Sequence, residues 1–173
     1  MDYAVVLYFD EETELYFNRI SSAIEGSDIS NYKPKVFPHI TIADFHTEKI
    51  STIISAIEHN ISIFEAGDVT WASLGSFVPS VLFAAPVFNE YLLNSCTSIN
   101  NLIKPFAPHC GYGHYLPFQW VPHTTLASRL DSDSLRNAFN AASQIFTTTT
   151  GKCTKLSIVQ CSPIKEIKTW HLT

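Results

Sequence analysis

Two short segments repeat one pattern at a fixed offset, and no other feature constrains the fold as much. Pro38, His39, Ile40, Thr41 and Ile42 read proline, histidine, any residue, threonine, aliphatic. Pro122, His123, Thr124, Thr125 and Leu126 read the same way, 84 residues further on. The residues positioned to cap the next helices, Thr47 and Asp131, are also 84 apart. In a strand, side chains i and i+2 share a face. Each segment, read as a strand, therefore sets an imidazole beside a hydroxyl on one face and aliphatic residues on the other. Thr124 is the exception, a hydroxyl on the face meant for the core. A duplicated unit that brings the two faces together would oppose the two pairs across a cleft.

The rest of the chain is punctuated consistently with that expectation. Tyr3 to Phe9 reads as a buried strand. Asp10 caps a helix from about Glu11 to Glu25, stopped by Gly26. His39 to Phe45 is a strand, and Thr47 caps a helix from about Glu48 to Asn60, with Ile50, Ile53, Ile54 and Ile57 at helical spacing. Ile61 to Phe64 reads as a short strand, followed by strands at Val69 to Val78 and Ser80 to Val87 joined at Pro79. The order then recurs: a helix from Asn89 to about Lys104, a long loop to Phe118, a strand from Val121 to Ser128, and a helix from Ser132 to Phe146. Two strands, Lys152 to Cys161 and Glu166 to Leu172, close the chain. The expectation is one α+β domain of two pseudo-symmetric lobes, each an antiparallel sheet flanked by helices, with a central cleft. Its halves span approximately 1–78 and 80–162, with a C-terminal strand at 165–172. An ordinary α+β domain with chance symmetry is the alternative that element order leaves open.

Composition narrows the partners. A chain of 173 residues that is 46% hydrophobic and 16% charged buries a core rather than staying disordered. A net charge of −5 argues against a broad basic surface for long duplex nucleic acid, and against anionic membranes. The N-terminus lacks a positive leader, and no apolar run reaches about 18 residues. The four cysteines, Cys96, Cys110, Cys153 and Cys161, form no CxxC pair and read as free thiols. A cytoplasmic monomer is expected.

Two opposed imidazoles suit a reaction in which one proton leaves as another arrives. Histidine titrates near 6.5, so one ring can be neutral and the other protonated near neutrality. Threonine hydroxyls can donate to non-bridging phosphate oxygens where charge develops. Phosphoryl transfer at a phosphodiester fits these four residues, with no metal and no cofactor. Taken together, the two segments resemble the signature of the two-histidine (2H) phosphoesterase superfamily, which includes 2′-5′ RNA ligase-like proteins and cyclic phosphodiesterases. The resemblance covers nearly the whole chain. It implies a bilobal α+β fold and metal-independent action on 2′,3′-cyclic phosphates or 2′-5′ linkages of RNA ends or nucleotides. By position, it implies that His39 and His123 are catalytic and that Thr41 and Thr125 bind phosphate.

The loops before the two strands are rich in aromatics and lysines. Tyr32, Lys33, Lys35 and Phe37 precede His39; Tyr112, Tyr115, Phe118 and Trp120 precede His123. Lys35 and Tyr115 are the favoured substrate contacts among them, and Arg129, four past Thr125, is a third candidate. Asp44 lies three residues past Thr41, so plain alternation turns it away from the histidine face. His109, Cys110 and His114 read as a polar turn rather than a metal site, and His59 as a helix C-terminal residue. Two other functions remain open at this point: a non-catalytic nucleotide or RNA-end binding module with the same cleft, and a metal-dependent phosphatase needing acidic ligands near the histidines.

Overall fold

The structure, a computed structural model, describes residues 1–26, 37–111 and 113–173. Its elements run β1 (Asp2–Phe9), α1 (Glu11–Glu25), β2 (His39–His46), α2 (Ile50–His59), β3 (Gly67–Phe77), β4 (Val81–Pro86), α3 (Glu90–Ile103), β5 (Thr124–Ser128), α4 (Ser132–Ser143), β6 (Thr149–Cys161) and β7 (Ile164–His171). Three helices start where the sequence places a cap. Asp10 accepts from the Thr13 amide, Asn89 from Leu92 and Asp131 from Ser134. Each such cap is worth about 1 kcal/mol.

All strand pairs are antiparallel, in the order β2-β1-β6-β3-β4-β5, with β7 also on β6. The expected lobe sheets are therefore continuous, and β6 joins them. Its first residues pair with β3, as in Thr149 with Trp71, and its later ones with β1, as in Gln160 with Tyr3. Cys153 pairs with Phe9 on one edge and Gly67 on the other. β7 follows β3 along that second edge, and the Ala66 amide bonds the Thr173 carbonyl where the two meet. The strands that follow α2 and α4 thus cross over: β3 pairs with β4, and β6 with β1. β2 and β5, at opposite ends of the hydrogen-bonded path, touch each other.

The helices cover one face only. Phe17, Ile20 and Ile24 of α1, Ile53 and Ile57 of α2, and Leu92, Ile99 and Ile103 of α3 join Val5, Leu7, Phe9, Ile40 and Trp71 in one core. At its centre the fully buried Trp71 packs edge-on to Phe9 and Phe17, with ring centroids 4.9 and 5.0 Å away. Trp71 also explains Thr124: its indole Nε1 donates to the buried Thr124 hydroxyl at 3.0 Å, so the hydroxyl on the core face is a required acceptor. The other face of β1 carries Ala4, Val6 and Tyr8, which form a separate small cluster with Val159.

Several boundaries differ from the sequence expectation; for example, β6 begins at Thr149 and α4 ends at Ser143. Ile61–Ile63 is a 3₁₀ turn instead of a strand, with the Phe64 amide bonding the Ile61 carbonyl. Ile61 packs against the core while Ile63 is exposed, a distinction that a short apolar run does not carry. Helix α2 begins at Ile50, because the Thr47 hydroxyl accepts from the Lys49 amide and holds the preceding residues as a turn. Strand β5 begins at Thr124, one residue after His123. No helix among the described residues is long and apolar enough to cross a membrane.

Candidate active site

The two histidine segments bend in the same way. Val5 pairs with Ala43 and Val6 with Thr41, so Ile42 is an extra residue in β2. Leu82 pairs with Ala127 and Phe83 with Thr125, so Leu126 is an extra residue in β5, 84 positions after Ile42. A bulge breaks the strict alternation of faces and increases the local twist. Here it buries two consecutive residues in each strand, Ile42 with Ala43 and Leu126 with Ala127. His39 and Thr41, like His123 and Thr125, remain half-buried on the helix-free side.

The two imidazoles are held alike. His39 Nδ1 donates to the Phe37 carbonyl at 2.8 Å, and His123 Nδ1 donates to the Val121 carbonyl at 2.8 Å. A carbonyl can only accept, so each neutral ring carries its proton on Nδ1 and presents a basic Nε2. Burial pushes His39 below the ordinary histidine value; the Phe37 carbonyl opposes this, and the charge of His123 adds to the lowering. Burial lowers His123 in the same way, against the Val121 carbonyl. The effect of the His123 charge on His39 and the contact of β2 with β5 place the two rings near each other.

The surroundings of the two rings differ. Strand register sets His39, Tyr8, Lys155 and His171 in one row across β2, β1, β6 and β7. Tyr8 lies edge-on to His39 at 6.1 Å and to Phe37 at 6.3 Å. Its phenol is pushed up to about 12 by burial and by the nearby Glu166 carboxylate, so it stays neutral. Lys155 is paired with Glu14 at 3.6 Å. His123 instead has an aromatic setting: Phe77 lies edge-on at 4.9 Å and Phe83 at 5.4 Å, with Phe77 and Phe83 themselves 4.5 Å apart. Gly75 permits this, because a Cβ there would meet the Phe83 ring at 2.5 Å. Phe77 is 39% exposed, enough to offer its ring to a ligand.

The other sequence candidates fall out as follows. Burial raises the Tyr115 phenol and Thr41 opposes this, which places this loop residue near the site. The loop is fixed by the buried Asn100, whose amide donates to the Ile42 carbonyl at 3.1 Å and the Tyr115 carbonyl at 3.0 Å. Arg129 is exposed, one residue beyond β5, with φ at 62°. Among the described residues no hydrogen bond or ion pair links it to the four central side chains. Lys35, with Tyr32, Lys33 and Tyr112, lies outside the described residues. Trp120 is buried in the core, whereas Phe118 is exposed. His59 bonds the Ser55 carbonyl at the end of α2, and His46 pairs with Asp2 at 2.7 Å. Among the described residues, no group of three or more His, Cys, Asp or Glu could hold a metal ion.

The sequence reading misplaced Asp44. The bulge at Ile42 shifts the alternation by one, so Asp44 shares the face of His39 and Thr41 and pairs with Ala4 of the helix-free cluster. It also passed over Tyr8 and Phe77. Neither is near a histidine segment in sequence, and only strand pairing brings them there.

The chain matches the model of the 2′-5′ RNA ligase superfamily over residues 11–162. No curated protein matches it in sequence. Among solved structures it resembles TT0787 of Thermus thermophilus, with a TM-score of 0.68, 13% identity, and 99% of this chain and 98% of that one covered. It also resembles E. coli LigT complexed with 3′-AMP, with a TM-score of 0.58, 11% identity, and 99% and 96% covered. Kluyveromyces marxianus Usb1 gives a TM-score of 0.54 at 11% identity, with 95% and 96% covered.

Proposed function

Because this chain belongs to the 2′-5′ RNA ligase superfamily, we propose that it is a metal-independent phosphoesterase acting on 2′,3′-cyclic phosphate or 2′-5′ phosphodiester bonds of RNA ends or nucleotides. The observation that carries this reading is the matched presentation of His39 and His123, each anchored through Nδ1 to a carbonyl two residues back. Two solved structures of similar fold, E. coli LigT with 3′-AMP and K. marxianus Usb1 with uridine monophosphate, hold nucleotides, which supports a nucleotide substrate here.

In the hydrolytic direction the neutral imidazole takes a proton from water through Nε2 as the water oxygen bonds to phosphorus. The other imidazole, protonated, gives its Nε2 proton to the ribose oxygen as the P–O bond to it breaks. One ring gains the proton that the other loses, so the pair ends with the same charge. Each role typically contributes about 10²–10⁴-fold. Repulsion between two imidazolium rings favours one proton on the pair, and a bound phosphate anion favours keeping that proton. Thr41 and Thr125 donate to the non-bridging oxygens, and the Tyr115 phenol lies near Thr41. Tyr115, Lys35 and Arg129 are the proposed further substrate contacts. The same groups serve ligation in reverse, and the roles of His39 and His123 exchange with direction.

The test is a panel of 2′,3′-cyclic nucleotides and 2′-5′ oligonucleotides, with and without chelator. Turnover that survives the chelator and is lost in the His39→Ala/His123→Ala double variant supports the reading. Nucleotide binding without turnover by the unaltered protein would make it a binding module, and turnover abolished by the chelator would make it a metal-dependent phosphatase.

A further inference from the structure

The helix-free face continues past Thr41 into a polar end that the acid–base chemistry does not use. Asp44 is the next residue on that face, because of the bulge at Ile42. Its Oδ1 is buried and has no hydrogen-bond partner among the described residues. His109 Nδ1 is buried and unpartnered in the same sense. The two groups are close enough to feel each other: burial raises the Asp44 carboxyl, and His109, then the residue's own amide and then His114 counter it. The loop that carries both imidazoles is anchored over this end of β2. The His46 amide bonds the Pro108 carbonyl at 2.9 Å, and Asn100 ties Tyr115 to Ile42. The polar end is therefore a fixed feature, not a stretch of loose side chains.

An unpartnered buried carboxylate oxygen is costly, and an incoming N–H or O–H donor relieves that cost. Three residues of strand separate Asp44 from Thr41, roughly 7–10 Å of chain. A nucleoside whose phosphate sits on Thr41 spans that distance from phosphorus to the far edge of its base. A carboxylate is a pure acceptor, so it favours bases with an amino group or two adjacent N–H donors on that edge over uracil, whose single imino proton lies between two carbonyl oxygens.

We propose that Asp44, with His109 beside it, forms the base-reading end of the phosphate site and selects nucleotides whose base carries an amino group, guanine above all, over uracil. Guanine offers two adjacent N–H donors on one edge, which matches the two oxygens of a carboxylate. This assignment deepens the phosphoesterase reading and rests on it for the position of the phosphate.

Two measurements separate the proposals. The first is kcat/KM for the 2′,3′-cyclic phosphates of guanosine, cytidine, adenosine and uridine. The second is calorimetric affinity for 3′-GMP and 3′-UMP, which needs no turnover. Each is made on the unaltered protein and on Asp44→Asn, whose near-equal shape guards against misfolding; a thermal melt reports any loss of fold. The expected result is a preference for guanosine over uridine of about tenfold in both measurements, which Asp44→Asn removes mainly through KM. An unaltered protein indifferent to the base, or a preference that survives Asp44→Asn, overturns the assignment. A lowered melting temperature with unchanged base preference does the same, and makes Asp44 a structural partner of His109. If no nucleotide is turned over but 3′-GMP binds better than 3′-UMP through Asp44, the base-reading site stands and the phosphoesterase reading falls.

Discussion

Ile42 and Leu126 are the extra residues of two matching β-bulges, each directly after the threonine of its segment. The bulges give β2 and β5 the same local bend, so histidine and threonine leave the two strands in equivalent directions. Deleting either residue removes the bulge and its bend but leaves the residues beyond it paired on their present faces. The Ile42 deletion should remove a fully buried side chain and the bend that aims His39 and Thr41, while Phe45 keeps its place against Tyr3 at 5.5 Å. A severe loss of stability, read as a cooperative melt shifted down or lost, is the expected outcome.

Single histidine variants test the paired roles. His39→Ala and His123→Ala should each lower kcat on a 2′,3′-cyclic nucleotide by about 10²-fold or more. The double variant should lose far less than the product of the two, because two groups that act in one step are not additive.

The pH profile should be displaced to the acid side. Burial lowers both histidines from 6.5, so in the unliganded protein the base becomes active, and the acid becomes spent, at a lower pH than free histidine would give. The bell of kcat/KM should centre below pH 6.5, and that of kcat should lie higher, because bound phosphate favours the imidazolium. Stability follows the same sign. The unfolded chain binds these protons more readily, so the contribution of the two rings is complete above 6.5 and is lost as pH falls through the lowered values. Denaturant melts of His39→Gln against the unaltered protein should show the difference shrinking as the medium becomes acidic.

Phe77 and Tyr115 should separate binding of the base from binding of the phosphate. Phe77→Ala removes the exposed ring beside His123 and should raise KM for nucleotides, by an amount corresponding to about 1–3 kcal/mol if a base stacks there. A phosphodiester without a base should show no such rise. Tyr115→Phe removes only the hydroxyl near Thr41 and should cost about tenfold at most in kcat/KM, whether or not a base is present.

Thr124→Val tests the core and not the chemistry. It leaves the Trp71 indole N–H without an acceptor in a site with no solvent. The expected loss is about 1–3 kcal/mol of stability in a denaturant titration. The KM should be unchanged.

The sequence carries the helices and the central histidines because both depend on local rules. Asp10, Asn89 and Asp131 cap their helices through residues three positions on, and the repeat at His39 and His123 needs only spacing to be seen. What it does not carry is set by pairing between distant strands. Asp44 is misassigned because a bulge is a property of two strands, one of which begins 42 residues earlier, at Asp2. Tyr8 and Phe77 reach the histidines through register alone, at 6.1 and 4.9 Å. Ile61–Ile63 shows a related limit, since two isoleucines flanking a serine fit a turn as well as a strand.

The single strand β6 reaches both histidine walls, through β1 to β2 and through β3 and β4 to β5. A chain cut between the two halves would strip β1 of its inner neighbour and leave β3 without a partner, since both β4 and β6 lie in the other half. Neither piece could then serve as a working ancestor or a separable tool unless it met a second copy of itself. The site is consequently a property of the closed pair, and one wall cannot drift without carrying the other with it.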